Sequence, residues 1–237
     1  LATSNVVSST QMTAEIPAAN FLLGGTYNIT VRNAEAGLDT RTSNAATFTV
    51  YNRVPLVSGV APVSTTIGTD TPVVISGDYF ATTGAIVRLY RPSAASVSLA
   101  PSAATKTQIN VMVPGSNIQT AGYYSLTVQN PTPYRGTGES DKLLFTVYNP
   151  KPTITSFSPA TTTVGTGFTL NITGTNFING AQIYWNGTAL TTVFLSATRL
   201  RAAVPNAQVP GVPGNVPVFI RNPAPSVGDS NTIQFPV

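Results

Sequence analysis

The chain has 237 residues but only 12 Lys or Arg and 8 Asp or Glu, about a third of the charged share of an ordinary globular protein. Without a single Cys or His, it lacks disulfides, thiol nucleophiles, imidazole bases and the usual zinc and copper ligands. The net charge of +4 is spread along the chain with no Lys/Arg run, which argues against a counterion-displacing surface for nucleic acid.

In chain order, three copies of one strand pattern emerge, and the spacing of apolar residues within each is two, the mark of strands. The first copy carries TQMTAEIP (Thr10 to Pro17), GGTYNITVRN ending at Asn33 and FTVYN ending at Asn52. The second opens with Pro55-Leu-Val-Ser-Gly-Val-Ala-Pro62 and PVVISGDYF ending at Phe80, then repeats the first copy's segments as TQINVMVP, AGYYSLTVQN ending at Asn130 and FTVYN ending at Asn149. The third begins at Pro152-Thr-Ile-Thr-Ser-Phe-Ser-Pro159 and FTLNITGTNF ending at Phe177, then runs through TRLRAAVP and PGNVPVFIRN ending at Asn222 to Phe235-Pro236-Val237. Leu1 falls opposite Ser98, so the first copy lacks what Pro55 to Val97 supply in the second. No leader with basic and apolar regions is found at Leu1, and any targeting segment is expected to lie outside this sequence.

Strands in the third copy are predicted near Ile154 to Phe157, Phe168 to Thr173, Ala181 to Trp185, Leu200 to Val204, Val216 to Arg221 and Thr232 to Val237. Asn186-Gly187 predicts a two-residue hairpin, because both positions tolerate positive φ. Gly77 and Gly174, each three residues before Phe80 or Phe177, lack the spacing and helix of a phosphate loop. They are read as backbone bends that let the phenyl ring reach the core. Units of about 90 residues with short strands and frequent turns indicate Ig-like antiparallel sandwiches.

The pattern P-x-I-x-x-F-S-P, a Gly-containing turn, T-L-x-I-T-G-T-N-F, a short strand with N-G, a V-P step and a closing F-x-V strand resembles the IPT/TIG domain (Ig-like, plexins, transcription factors). The resemblance is strongest over Lys151 to Val237, good over Val54 to Asn149 and partial over Leu1 to Tyr51. It implies an all-β chain of tandem Ig-like antiparallel β-sandwiches with the first module incomplete: 1–53 as a C-terminal half, then 54–150 and 151–237. It implies a module used in arrays, with wording closest to repeats of large extracellular bacterial proteins, and no activity. A Thr/Asn-rich, Lys/Glu-poor surface is likewise expected of a secreted bacterial protein.

Candidate sites are few. Register places Ile183 and Trp185 inward and Tyr184 outward, so Trp185 is expected in the core. Tyr184, Tyr90, Tyr123 and Tyr134 are the candidates for exposed contacts, such as a glycan would need. The carboxylate pairs Glu35/Asp39 and Glu139/Asp141 match neither a glycosidase pair on a cleft nor a calcium loop, and Ser without His makes no triad. Catalytic residues, metal ligands and cofactors are expected to be none. Three N-x-T sequons, at Asn28, Asn171 and Asn186, are what such a composition produces by chance.

The expected role is a non-catalytic extracellular structural or adhesive protein, a stiff array serving as a cell-surface filament, sheath or stalk. Residues 1–53 are expected either to end a module whose opening portion lies upstream in a longer multi-module chain, or to be completed by self-association or neighbouring modules, with no nucleic acid and no membrane span. The alternative is a carbohydrate-binding accessory module of a secreted polysaccharide-degrading enzyme.

Overall fold

Alternation of buried and more exposed side chains marks the strands that build the cores of the computed structural model, which describes residues 3–21, 23–32 and 42–237. Leu1, Asn33 and the Glu35/Asp39 pair lie outside the described residues. The first copy contributes β1 (Thr3–Ser8), β2 (Gln11–Glu15), β3 (Gly25–Ile29) and β4 (Ala46–Val50), joined as two antiparallel pairs, β1 with β2 and β3 with β4.

The second copy holds β5 (Leu56–Ala61), β6 (Ser64–Thr66), β7 (Thr71–Asp78), β8 (Ile86–Arg91), β9 (Ala94–Leu99), β10 (Pro101–Ala104), β11 (Gln108–Val113), β12 (Gly122–Gln129) and β13 (Leu143–Tyr148). These form one sheet in the order β10-β11-β7-β5 and a second in the order β6-β13-β12-β8-β9. Only β6 on β13 is parallel among their pairings. The third copy holds β14 (Thr153–Ser158), β15 (Phe168–Thr175), β16 (Gln182–Trp185), β17 (Thr188–Ala189), β18 (Thr192–Ser196), β19 (Arg199–Val204), β20 (Asn215–Arg221) and β21 (Ile233–Pro236), in the sheets β14-β15-β19-β18 and β17-β16-β20-β21. Among the described residues, helix is confined to three single 3-10 turns.

Two separate cores result. Ile75, Val87, Leu89, Ile109, Leu126 and Phe145 fill the one between the sheets of the second copy. In the third, Leu170, Ile172, Ile183 and Val218 surround Trp185 and Phe235, whose ring centroids lie 5.1 Å apart in an edge-on contact. Each such side chain contributes roughly 1.5–3 kcal/mol by leaving water, so either core is large enough to hold its sandwich without disulfides.

The sequence expectations fare well here. Asn186 and Gly187 both take positive φ, 46° and 78°, and Tyr184 pairs with Ala189 across the turn. Gly77 and Gly174 meet a stricter demand than a bend. A Cβ there would lie 2.0 Å from the Leu56 carbonyl or 1.9 Å from that of Thr153, and 2.5 Å from the Phe80 or Phe177 ring. Only glycine lets the phenyl ring fold back beneath the strand. Beyond the predicted elements the structure adds β17 and β18. In β18, Val193 and Leu195 point to solvent while Phe194 packs on the core, an apolar run that hides its period.

The first copy obeys the same local rules. Ser43 Oγ accepts from the Val31 N–H (2.9 Å) and donates to the Asn44 carbonyl (2.8 Å). Ser140 does this with Val128 and Asp141, and Ser230 with Ile220 and Asn231. Yet among the described residues no strand lies on the β2 edge where β7 pairs with β11, nor on the β3 edge where β8 pairs with β12.

Candidate functional site

Two kinds of surface stand out: the outer faces of the sheets that carry the predicted tyrosines, and the junctions between successive copies. In the second copy, β8 and β12 present Arg88, Tyr90, Thr127 and Gln129 outward. Tyr90 Oη donates to Glu139 (2.8 Å), Thr127 Oγ1 donates to the same carboxylate, and Lys142 Nζ lies 4.4 Å from the Tyr90 ring centroid. The bond to Glu139 pushes the Tyr90 hydroxyl above its ordinary pKa, with burial adding to it. Arg88 Nη2 donates to Gln129 Oε1 (2.8 Å), and its Nε stands 3.7 Å from Glu139. This face is a network of side chains bonded to one another around Glu139, in which Arg88 Nε alone of the guanidinium and carboxylate atoms named here has a charge contact without a hydrogen bond.

The third copy places an aromatic pair in the same position. Tyr184 stacks on Phe219 across β16 and β20, with ring centroids 4.7 Å apart and an interplanar angle of 7°. Arg221 covers the pair, 4.9 Å from the Tyr184 centroid, and is itself held by two 2.7 Å hydrogen bonds to Asp229. Those bonds, more than the neighbouring charges, hold the Asp229 carboxyl below its usual range.

Of the four predicted contact tyrosines, Tyr123 alone stands free, 67% exposed on β12. Tyr90, Tyr134 and Tyr184 are half-buried, each engaged by its neighbours. Tyr134 accepts from Gln129 Nε2 (3.3 Å), and its ring lies where a Cβ on Gly138 would be 2.4 Å away. Trp185 is buried, its Nε1 donating to the Gln208 carbonyl at 2.9 Å. Among the described residues no group of three carboxylates gathers as a metal site would require.

The junctions repeat one hydrogen-bond geometry, and the sequence, whose short Pro-bearing linkers at 51–55 and 148–152 predict a stiff array, did not single out the side chains that hold them. Asn52, following β4, donates through its backbone N–H to the Pro133 carbonyl (2.8 Å) and through Nδ2 to the Pro131 carbonyl (2.8 Å), while its Oδ1 accepts from the Gly24 N–H (2.7 Å). One copy later, Asn149 donates through N–H to the Pro225 carbonyl (2.8 Å) and through Nδ2 to the Pro223 carbonyl (2.9 Å). The receiving loops are Asn130-Pro-Thr-Pro133 and Asn222-Pro-Ala-Pro225, each with a cis X-Pro bond.

The asparagine that opens each loop clamps the linker in return. Asn130 Nδ2 donates to the carbonyls of Arg53 (2.8 Å) and Tyr79 (2.7 Å), and its Oδ1 accepts from the Ala81 N–H (2.8 Å). Asn222 does the same with Pro150 (2.8 Å), Asn176 (2.7 Å) and Ile178 (3.1 Å). Asn130 and Asn222 are buried, and every polar atom of these amides has a partner. Buried and fully satisfied, such a network fixes one arrangement of the linker against the next copy.

Comparison with known families decides the kind of module. Residues 152–235 match the model of the IPT/TIG domain. No curated protein sequence is significantly similar to the chain. Among solved structures it is similar to the plexin A4 full extracellular region, domains 1 to 8, at 15% identity and a TM-score of 0.32 over 76% of this chain and 18% of that one. Against plexin A4 domains 1 to 10 the identity is 16% and the TM-score 0.32, over 76% of this chain and 15% of that one. The chain thus spans less than a fifth of those plexin chains.

Proposed function

We propose that the protein is a non-catalytic extracellular structural or adhesive protein, a stiff array of modules at 1–53, 54–150 and 151–237 that serves a surface filament, sheath or stalk. The repeated asparagine clamp carries this reading. A linker meant to let modules swing would leave its backbone to water, whereas Asn52 and Asn149 tie theirs to the next module's loop. The IPT/TIG assignment of 152–235 agrees with a role as a spacing or adhesive module without catalysis. The sparse charge supports close lateral or end-to-end association, because repulsion between copies is weak.

Residues 1–53 are completed, in this reading, by strands from a neighbouring module or a second copy. Phe48 is 44% exposed although its counterpart Phe145 is fully buried, and the edges of β2 and β3, unpaired among the described residues, would accept antiparallel strands by β-augmentation. Electron microscopy of native material tests the assembly: ordered fibres or stalks are expected, and monodisperse particles at high concentration would remove it.

A second reading, an accessory carbohydrate-binding module, is favoured by the parallel Tyr184–Phe219 stack. Pull-down on insoluble glycans separates the two. Retention lost in Tyr184→Ala supports the carbohydrate reading, and no retention by the unaltered chain supports the structural one.

A further inference from the structure

The two junctions share their clamp, so whatever the first has and the second lacks is surplus to holding modules together. At the first junction a groove of about 340 Å³ opens between the modules, and Phe21, Tyr51, Arg53, Asp78, Tyr79 and Lys106 are among the residues that line it. At the second, the counterparts of Arg53, Asp78, Tyr79 and Lys106 are Pro150, Thr175, Asn176 and Ala197. The equivalence is structural too: Phe80 N–H donates to the Lys106 carbonyl (3.1 Å), and Phe177 N–H to that of Ala197 (3.0 Å). Three of the chain's 20 charged residues therefore gather where the scaffold needs none. Lys151, one residue beyond Pro150, lies near enough to Asp229 to affect its ionisation.

Tyr79 sharpens the contrast. It adopts φ 60° and Asn176 adopts φ 61°, in the left-handed region that Asn tolerates and a bulky aromatic does not. A tyrosine here costs backbone strain that its counterpart avoids, and strain of this kind concentrates at binding sites. Its ring positions a cation: Arg53 Cζ lies 4.6 Å from the ring centroid, and Asp78 Oδ1 fixes the turn by accepting the Tyr79 N–H at 2.7 Å. Arg53 and Lys106 are exposed and, among the described residues, have no carboxylate at ion-pairing distance.

We propose that this groove binds a carboxylated saccharide, a chain of uronic acid units. Arg53 and Lys106 would hold the sugar carboxylate, the guanidinium in its two-pronged geometry. The Tyr51 face turned away from Arg135, whose Cζ lies 5.0 Å from the ring centroid, and the Phe21 ring would meet the C–H face of the sugar. Asp78 favours a saccharide among anions, because a carboxylate on the rim accepts hydroxyl hydrogens, which each uronic acid unit supplies beside its charge and an oligoglutamate side chain does not. The inference does not rest on the assembly reading, since a filament subunit and a free chain would present the same groove.

Isothermal titration of the full chain with tetramers of galacturonate and of mannuronate tests it. Saturable binding of at least one is expected, weakened tenfold or more in Arg53→Ala and in Lys106→Ala, and weakened by added salt. Tyr79→Asn, which installs the second junction's residue, should lose binding while its melting temperature holds or rises, so the loss cannot be ascribed to unfolding. Val212→Ala, at an exposed position far along the sequence from the groove, should bind as the parent does. Absence of binding to both tetramers, unchanged affinity in Arg53→Ala and Lys106→Ala, or equal affinity for neutral cellotetraose or an oligoglutamate peptide would each overturn the proposal.

Discussion

Phe48 and Phe145 occupy the same place in the same five-residue sequence, FTVYN, yet the first is 44% exposed and the second fully buried. Their local structures agree: β3 pairs with β4 as β12 pairs with β13, and Tyr27 Oη donates to the Leu23 carbonyl (2.8 Å) as Tyr124 Oη does to that of Thr120 (2.7 Å). The difference comes from the strands alongside. Leu126 of β12 is sealed by the facing sheet and by β8, while its counterpart Ile29 is 41% exposed. Strand pairing and turns are thus encoded locally, and the core is not.

The largest effect that would sharpen this contrast is truncation of a sealed phenyl ring. Phe145→Ala or Phe177→Ala should cost its module about 3–5 kcal/mol. Phe48→Ala should cost about 1 kcal/mol or less, because its ring has little burial to lose. Chemical denaturation of the three variants checks the ranking, and equal costs would break it.

Next comes the clamp. Asn222→Ala deletes the donor to Pro150 and Asn176 and the acceptor for Ile178, leaving part-buried backbone groups unmet at about 1–3 kcal/mol. The same measurement on Asn130→Ala should give a similar loss in the second module. A change within error at both positions would show the clamps to be dispensable.

Hydrogen exchange should resolve the copies without altering stability. Amides on the open edge of β2 are expected to exchange fast, while those of β11, bonded on both sides by β10 and β7, exchange only with opening of the module. Equal protection would mean that residues 1–53 find a covering partner in solution.

Least is expected from the Arg221–Asp229 pair. Hydrogen bonds from Arg221 hold the Asp229 carboxyl below its ordinary value, so the pair stabilises above the usual carboxylate range and is lost as pH falls through the lower folded-state pKa. The pair is exposed and its effect is screened. Melting curves between about pH 5 and pH 2 should show a slightly shallower decline for Asp229→Asn than for the parent.

The fold was legible because its signals are local: alternation in β15, the turn residues Asn186-Gly187 and the glycine beneath each phenyl ring. Register from Gly84 and Gly180 also sufficed to turn Trp185 inward. The edge strand β18 escaped because its exposed residues are Val193 and Leu195, apolar on the wrong side. The junctions escaped for a different reason. The repeated asparagines at 52, 130, 149 and 222 were visible as ends of copied segments, but the partners their side chains find across the junction lie 72 to 79 residues away, and nothing in a single sequence pairs them. Tyr184 was placed outward, yet its stacking on Phe219 depends on a β16–β20 register that only the folded sheet defines.

Stiffness at the junction is the claim on which the array depends, and a distance distribution tests it most directly. The chain has no cysteine, so spin labels at Tyr123→Cys in the second module and Val212→Cys in the third, both exposed, report only on the joint between them. Pulsed dipolar spectroscopy should give one narrow distance, broadened when Asn149→Ala is added. A broad distribution in the parent, or no response to Asn149→Ala, would contradict a clamped and rigid joint.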